Sequence, residues 1–269
     1  MPKTIIAGNW KMHKTRAEAR TLAQALLDGI KGEHHLPEIV LFPPFTCLQD
    51  VLAVTLDSPI GVGAQNMDYR ASGAFTGEIS PVMLVDLAIQ YVIIGHSERR
   101  QLFAETDTSV NLKLKSALEY RLIPIVCVGE SAEEHGAELT DSVIRRQVAA
   151  ALADLTRDQI APLLIAYEPL WAIGAGKSCP VKEANRVAAL IRATINDLFG
   201  AKGESGADNV VGEKIPILYG GSVNASTIED QLNEPDINGV LVGGASLSAE
   251  EFLPLVMSGG LSAGLALVP

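Results

Sequence analysis

Cysteine is scarce in this sequence, with three residues among 269. Cys47, Cys127 and Cys179 form no CxxC spacing and no paired pattern, which indicates a reducing compartment rather than a disulfide framework. The first residues are too poor in apolar side chains for a signal peptide. We therefore expect a cytoplasmic protein.

Long apolar runs and basic residues are also in short supply. No window reaches the length of about 18 consecutive apolar residues that a membrane-spanning helix needs, so we expect no membrane partner. Lys and Arg number 21 against 32 Asp and Glu, a net charge of −11. This balance argues against binding to nucleic acid or to an anionic membrane. An anionic substrate would therefore need a locally positive pocket.

Several motifs of enzyme chemistry are missing. The sequence contains no HxH, HExxH or acidic cluster, so we expect no metal site. It contains no nucleophile elbow. No G-x-G-x-x-G follows the first apolar run, which argues against a dinucleotide-binding fold. We expect no cofactor.

The chain does contain eight short apolar runs rich in Ile and Val, each followed by a helical pattern. The runs cover residues 4–11, 38–42, 60–64, 91–95, 123–128, 163–167, 215–219 and 239–242. Most do not alternate with polar residues, which is typical of parallel strands buried on both faces. Eight such units fit a closed barrel or a long doubly wound sheet. The count favours the barrel, and we predict an α/β fold with one (β/α)₈ TIM-barrel domain over residues 1–269.

Helix starts punctuate the segments between these runs. Residues 15–18, 226–229 and 248–251 have the pattern of a capping box. Ser80 precedes a proline suited to the first turn of a helix. The polar, Gly-containing segment 202–209 is predicted to be a surface loop at the face opposite the active site.

Glu168 stands directly after an apolar run and before Pro169, which cannot continue a central strand. An apolar, glycine-containing loop follows as far as Lys177. A strand-end carboxylate below such a loop predicts a catalytic base with a lid, while the alternative is a structural glutamate beside an ordinary turn.

Two further strand ends carry chemistry. Lys11 ends the first run, and His96 is the only histidine that directly follows an apolar run. Ser97 has the character of a helix N-cap, so His96 would lie at a helix N-terminus, whose positive end disfavours imidazolium. In a barrel these strand ends meet at one face.

Paired glycines end the seventh and eighth runs, within residues 219–223 and 242–246. Their backbone N–H groups predict the phosphate site common in barrels, with Ser222 as a hydroxyl donor and Gly174 of the lid as a further N–H donor. A base, a neutral imidazole, a lysine and an anion site together predict proton abstraction next to a carbonyl in a small phosphorylated molecule.

These segments resemble the triosephosphate isomerase family along essentially the whole chain. The matching runs are Asn9-Trp10-Lys11, residues 95–100, residues 167–177, Tyr219-Gly220-Gly221-Ser222 and Leu241-Val242-Gly243-Gly244. The resemblance implies interconversion of dihydroxyacetone phosphate and glyceraldehyde 3-phosphate through an enediolate, a reaction of glycolysis and gluconeogenesis.

The resemblance also implies residue roles. Glu168 would be the base, His96 would polarise the carbonyl and shuttle protons, and Lys11 would stabilise negative charge. Asn9 would orient the site, and Glu98 would interact with Lys11.

For the substrate phosphate, the resemblance implies Gly174, Ser222, Gly243 and Gly244 as binding residues. Tyr219 belongs to the same motif and Ser97 to the histidine motif, and both are expected to support the site.

The segment 65–78 resembles the interdigitating dimer loop of the family. This implies a homodimer in which Thr76 reaches the partner's site near Asn9 and Lys11. Two departures stand in the lid: Ala175 replaces the usual threonine, and Cys179 replaces a small unreactive residue, which raises the hypothesis of oxidation-sensitive closure.

Two other functions compete with this interpretation. A phosphoribosyl isomerase usually relies on carboxylates at the ends of strands one and five, whereas strand one here ends in Lys11. A catalytically silent barrel would have no physical need for Lys11, His96 and Glu168 at one mouth.

Overall fold

Eight parallel strands close into a barrel, and at least one helix follows each strand. The computed structural model describes residues 3–173, 179–200 and 211–265, with side chains as far as residue 260. The strands are β1 (Ile5–Asn9), β2 (Glu38–Phe42), β3 (Ile60–Ala64), β4 (Tyr91–Ile94), β5 (Ile123–Val128), β6 (Leu164–Tyr167), β7 (Ile217–Tyr219) and β8 (Gly239–Val242). The predicted (β/α)₈ barrel is confirmed. The ranges predicted for β2, β3, β5 and β8 coincide with the observed strands, and the other four strands are shorter than predicted.

Helices surround the barrel on its outside. Within the described ranges they are α1 (Arg16–Gly29), α2 (Leu48–Thr55), α3 (Pro81–Asp86), α4 (Ser97–Leu102), α5 (Asp107–Glu119), α6 (Ala132–Gly136), α7 (Thr140–Leu152), α8 (Val181–Phe199), α9 (Ile228–Leu232) and α10 (Ala249–Leu265). Short 3₁₀ turns at Leu170–Ala172 and Gly244–Leu247 follow β6 and β8. None of these helices has both the length and the apolar character needed to cross a membrane. The predicted loop 202–209 lies outside the described residues.

The barrel closes because β1 pairs on both sides. Ile5 lies opposite Glu38 of β2 and opposite Gly239 of β8, both in parallel register. Parallel pairing throughout sends all strand C-termini to the same face. That face therefore collects the strand-end residues singled out in the sequence.

Strand residues are buried on both sides of the barrel wall. One set fills the interior and consists of strand residues alone, among them Ala7, Phe42, Cys127, Ala166 and Leu241. The alternate residues pack outward against the helices. Burial on both faces explains why the runs are apolar without alternation.

Helix caps follow the sequence in most places. Thr15 forms the predicted capping box with Glu18, and the Ser80 side chain accepts the Met83 N–H at the start of α3. The box predicted at 226–229 is wrong. Thr227 is the N-cap of α9 without a side-chain bond, because Ser226 donates its N–H and hydroxyl to Asn224 Oδ1, at 2.9 and 2.7 Å. Ser226 is therefore part of a local Asx turn and does not cap the helix.

Candidate active site

Glu168 is the buried carboxylate at the centre of the site. It follows β6, and its N–H donates to the Val128 carbonyl at 2.8 Å, which carries the chain one residue beyond the strand. The side chain is 2% exposed. Oε2 accepts the Ser97 N–H at 2.8 Å, and Oε1 lies 3.0 Å from His96 Nε2. Both oxygens are thus held in defined positions.

His96 is the N-cap of α4, and the prediction that Ser97 would be the cap is wrong by one residue. The Nδ1 atom of His96 accepts the Glu98 N–H at 3.2 Å, while the Ser97 N–H is taken by Glu168. The first N–H groups of a helix have no acceptors within it, and here they orient a carboxylate and an imidazole. The bond to Nδ1 fixes the proton of the neutral ring on Nε2, the atom facing Glu168.

The two groups shift each other's ionisation. Burial disfavours a charge on Glu168, but His96 and the Ser97 N–H outweigh it and hold the pKa of Glu168 below its ordinary value. Burial also disfavours imidazolium, but the neighbouring Glu168 carboxylate outweighs it and raises the pKa of His96. Glu168 is therefore ionised at neutral pH, as a general base must be.

Lys11 approaches the same space from β1. Its backbone is left-handed, with φ of 51°, which is uncommon for a residue with a side chain. The N–H donates to Asn9 Oδ1 at 3.0 Å, and the carbonyl accepts from Gln65 Nε2 at 2.8 Å. Nζ lies 2.7 Å from Glu98 Oε1. The amide side chains of Asn9 and Gln65 thus hold the turn that aims the ammonium group.

These residues face one cavity of about 330 Å³ at the C-terminal mouth of the barrel. Its lining includes Asn9, Lys11, His96, Glu168, Ile173, Ser222, Leu241, Gly243 and Gly244. A cation, a carboxylate and an imidazole thus meet in a space suited to a small ligand.

Glycines allow the cavity walls to come close. A Cβ at Gly220 would lie 2.8 Å from Glu168 Cγ, and one at Gly221 would lie 2.2 Å from the Tyr219 hydroxyl. A Cβ at Gly243 would lie 3.3 Å from Lys11 Cε, whereas one at Gly244 would meet nothing within 4 Å. The glycine pair after β7 is therefore required by packing, while Gly244 borders open space.

Some predicted site residues lie elsewhere. Tyr219 is buried behind the cavity wall, and Ser97 and Glu98 contact catalytic candidates without lining the cavity. Thr76 is exposed on its own chain and does not line the cavity. Gly174 lies outside the described residues.

Sequence reasoning missed Glu130, a fully buried carboxylate just after β5. Its Oε1 accepts from the Tyr167 hydroxyl at 3.0 Å, Trp171 Nε1 at 2.7 Å and Thr140 Oγ1 at 3.3 Å. Tyr167 and Trp171 flank Glu168 in sequence, so Glu130 anchors the segment that carries Glu168. The signal available in the sequence was an acidic residue two positions after a strand end, close to the signal that drew attention to Glu168.

A histidine also packs against Trp171, one of the residues that Glu130 binds. The His135 ring stacks on Trp171, with ring centroids 4.1 Å apart and planes 14° from parallel. Among the side chains that the structure describes, no three His, Cys, Asp or Glu groups are placed to hold a metal ion.

Comparison with known proteins places this geometry in a family. The family model described as triosephosphate isomerase matches residues 4–258. A protein named triosephosphate isomerase from Clostridium tetani is 51% identical over 94% of this chain and 96% of its own length. Proteins of the same name from Chloroflexus aurantiacus and Dictyoglomus turgidum are 49% and 48% identical, over 94% and 96% of this chain and 97% and 100% of their own lengths. The chain therefore belongs to the triosephosphate isomerase family.

Proposed function

We propose that this chain interconverts dihydroxyacetone phosphate and D-glyceraldehyde 3-phosphate, with Glu168 as the base that moves the proton. Family membership supports the reaction, which makes the chain an isomerase. The observation that carries the residue assignment is the buried Glu168 carboxylate, 3.0 Å from His96 Nε2 in a cavity that also contains Lys11.

The first step removes a proton from the carbon next to the carbonyl. Glu168 accepts that proton, and the electron pair of the C–H bond forms the enediolate, with negative charge on the former carbonyl oxygen. The Nε2 proton of neutral His96 is suited to stabilise and protonate that oxygen. His96 then takes back a proton from the hydroxyl on the carbon that lost its hydrogen, and that oxygen becomes the new carbonyl. Glu168 returns its proton to the former carbonyl carbon, which completes the isomerisation.

Before the first step, Glu168 must release at least one of its two present partners. Both oxygens are engaged, by Ser97 N–H and by His96 Nε2. A carbonyl substrate competes for the same Nε2 donor, and this exchange frees Oε1. Substrate binding thus turns an intramolecular hydrogen bond into the catalytic contact.

Lys11 is the positive charge proposed to attract and stabilise the anionic substrate. Its ammonium group is paired with Glu98, and both side chains are partly exposed at 28% and 42%. An exposed pair is weakly held, so the ammonium is available to a ligand. Asn9 is 5% exposed and fixes the Lys11 backbone through its side-chain oxygen.

The phosphate group is proposed to lie against Ser222, Gly243 and Gly244, with Gly174 as a further donor from outside the described residues. The three described residues line the wall formed by the ends of β7 and β8. Backbone N–H groups suit a phosphate because they donate hydrogen bonds without adding bulk. Each step transfers protons between substrate and side chains, and we propose that no cofactor takes part.

We also propose a homodimer, supported by exposed apolar side chains after β1 and at the end of α4. Met12 is 94% exposed, Leu102 72% and Phe103 64%. Large apolar side chains this exposed are suited to burial in an interface. Thr76 is proposed to reach the partner's site from the loop after β3.

Sedimentation velocity tests the dimer. Phe103→Asp is expected to shift wild-type dimer to monomer, whereas Leu56→Asp, at an exposed residue just before β3, leaves the dimer intact. Monomeric wild-type protein, or equal effects of both substitutions, would contradict the proposal.

A single domain over residues 1–269 is proposed because β1 and β8 pair and close one barrel. The three cysteines are free, which supports the proposed cytoplasmic location.

The isomerase assay is a coupled one, in which a dehydrogenase consumes dihydroxyacetone phosphate as it forms. Glu168→Gln keeps the shape of the side chain and removes the base, so we expect kcat to fall by about 10²–10⁴-fold. Glu119→Gln, at an exposed glutamate of α5, is the matched control and is expected to retain full activity. Activity of Glu168→Gln equal to that of the control would exclude Glu168 as the base.

A further inference from the structure

We propose that Ser246 is a positioning residue for the substrate phosphate, because it holds the Gly243–Gly244 peptide with the Gly244 N–H turned toward the cavity. The inference rests on the phosphate site proposed above. Ser246 itself does not line the cavity.

Ser246 binds one carbonyl twice. Its N–H donates to the Gly243 carbonyl at 2.9 Å, and its hydroxyl donates to the same oxygen at 2.6 Å. The residue is 0% exposed, so no water competes for these bonds. The Gly243 carbonyl is therefore held by two hydrogen bonds from a fully buried residue.

The carbonyl of Gly243 and the N–H of Gly244 belong to one peptide group. The bond is trans, so the two point in opposite directions. With the carbonyl tied to buried Ser246, the Gly244 N–H points away from it. Gly244 begins the 3₁₀ turn, and the first N–H groups of a helix have no acceptor within it.

The space in front of Gly244 is open. A Cβ there would meet no atom within 4 Å, and Gly244 lines the cavity. A ligand can therefore approach Gly244 closely, and Lys11 Nζ would lie 3.7 Å from a Cβ at the adjacent Gly243. A backbone N–H that a ligand can reach near a cation is suited to an incoming phosphate oxygen.

Ser246 also relates this peptide to β1. Its hydroxyl lies 3.3 Å from the Asn9 carbonyl oxygen. A Cβ added at Gly8 would lie only 3.0 Å from the Cβ of Ser246, so the two backbones are close. Asn9 in turn holds the Lys11 backbone. Ser246 thus fixes the position of the Gly244 N–H, just after β8, relative to β1, the strand that is followed by Lys11.

The test compares Ser246→Ala with Ser116→Ala. Ser116 is also buried, and its hydroxyl has no hydrogen-bond partner among the described residues, so it controls for loss of a buried hydroxyl. The binding probe is inorganic phosphate, measured by calorimetry. The kinetic probes are D-glyceraldehyde 3-phosphate and unphosphorylated D-glyceraldehyde, which does not use the phosphate site.

We expect Ser246→Ala to weaken phosphate binding and to lower kcat/KM for D-glyceraldehyde 3-phosphate, each by up to about tenfold, as befits one hydrogen bond. The kcat/KM for D-glyceraldehyde stays at the wild-type value. Ser246→Cys keeps the volume with a weak S–H donor and gives an intermediate loss. Ser116→Ala changes none of these values.

Equal losses on both kinetic substrates would overturn the inference, because they would indicate a general effect on the barrel. Unchanged phosphate affinity in Ser246→Ala would also overturn it. If the phosphate affinity depends on Ser246 but the wild-type protein isomerises no triose phosphate, this inference is supported and the proposed function is refuted.

Discussion

Replacing Gly220 by alanine tests how tightly the base is positioned. The new Cβ would lie 2.8 Å from Glu168 Cγ and 3.2 Å from the Tyr167 carbonyl. The distance to Glu168 Cγ is 0.6 Å shorter than 3.4 Å, the lower limit of ordinary van der Waals contact. The carbonyl belongs to β6 and is fixed by the barrel, so the Glu168 side chain must move.

The cost of this movement follows from the contacts of Glu168. Its oxygens are held at 2.8 Å by Ser97 N–H and 3.0 Å by His96 Nε2, and a shift of this size disturbs both. A misplacement of about 1 Å in an active site costs about 10²-fold in rate. We therefore expect Gly220→Ala to lower kcat by about 10- to 100-fold, while overpacking lowers the free energy of unfolding by about 1–3 kcal/mol.

The assay is steady-state isomerisation together with urea unfolding. Gly136→Ala is the matched control because a Cβ at Gly136 meets nothing within 4 Å, and it is expected to preserve both kcat and stability. Wild-type kcat in Gly220→Ala would refute the claim that packing against this glycine fixes the base.

Three further predictions concern ionisable groups. The pKa of Glu168 is lowered on folding, so its ionised form adds stability above pH 4.5 that is lost as the pH falls through the folded pKa. The difference in free energy of unfolding between wild type and Glu168→Gln, measured in urea, should shrink as the pH falls below 4.5. A constant difference would argue against the lowered pKa of Glu168. Glu130→Gln keeps the shape but replaces the carboxylate oxygen that accepts from Tyr167 and Trp171, so we expect the free energy of unfolding in urea to fall by about 1–2 kcal/mol, and wild-type stability would contradict this. Cys179 is 2% exposed and burial raises its pKa to about 12, so mass spectrometry should find it unalkylated by iodoacetamide in the native protein with turnover unchanged, and rapid labelling would restore the hypothesis of oxidation sensitivity.

The sequence predicted the barrel and the strand-end residues because both rest on local signals. Burial on two faces makes the strands apolar, and chain direction sends Lys11, His96 and Glu168 to one mouth. These residues could be placed on one face without knowledge of any contact between them.

Other features depended on contacts that local patterns do not encode. Glu130 was missed because its partners, Tyr167 and Trp171, are distant in sequence. The N-cap was placed one residue late because the His96 ring, rather than a serine hydroxyl, accepts the helix N–H. The proposed role of Thr76 depends on a second chain, and it stays a prediction.

The pairing of β1 with β8 has a consequence for synthesis of the protein. The hydrogen bond from Ser246 to Asn9 joins residues 237 positions apart, and Lys11 packs beside Gly243. A nascent chain that has released seven strands from the ribosome still has two unpaired sheet edges, which are prone to association. In such a chain the proposed base, Glu168, lacks the part of the proposed phosphate site that follows β8. Pairing of β8 with β1 therefore removes both open sheet edges and completes the proposed site in the same event.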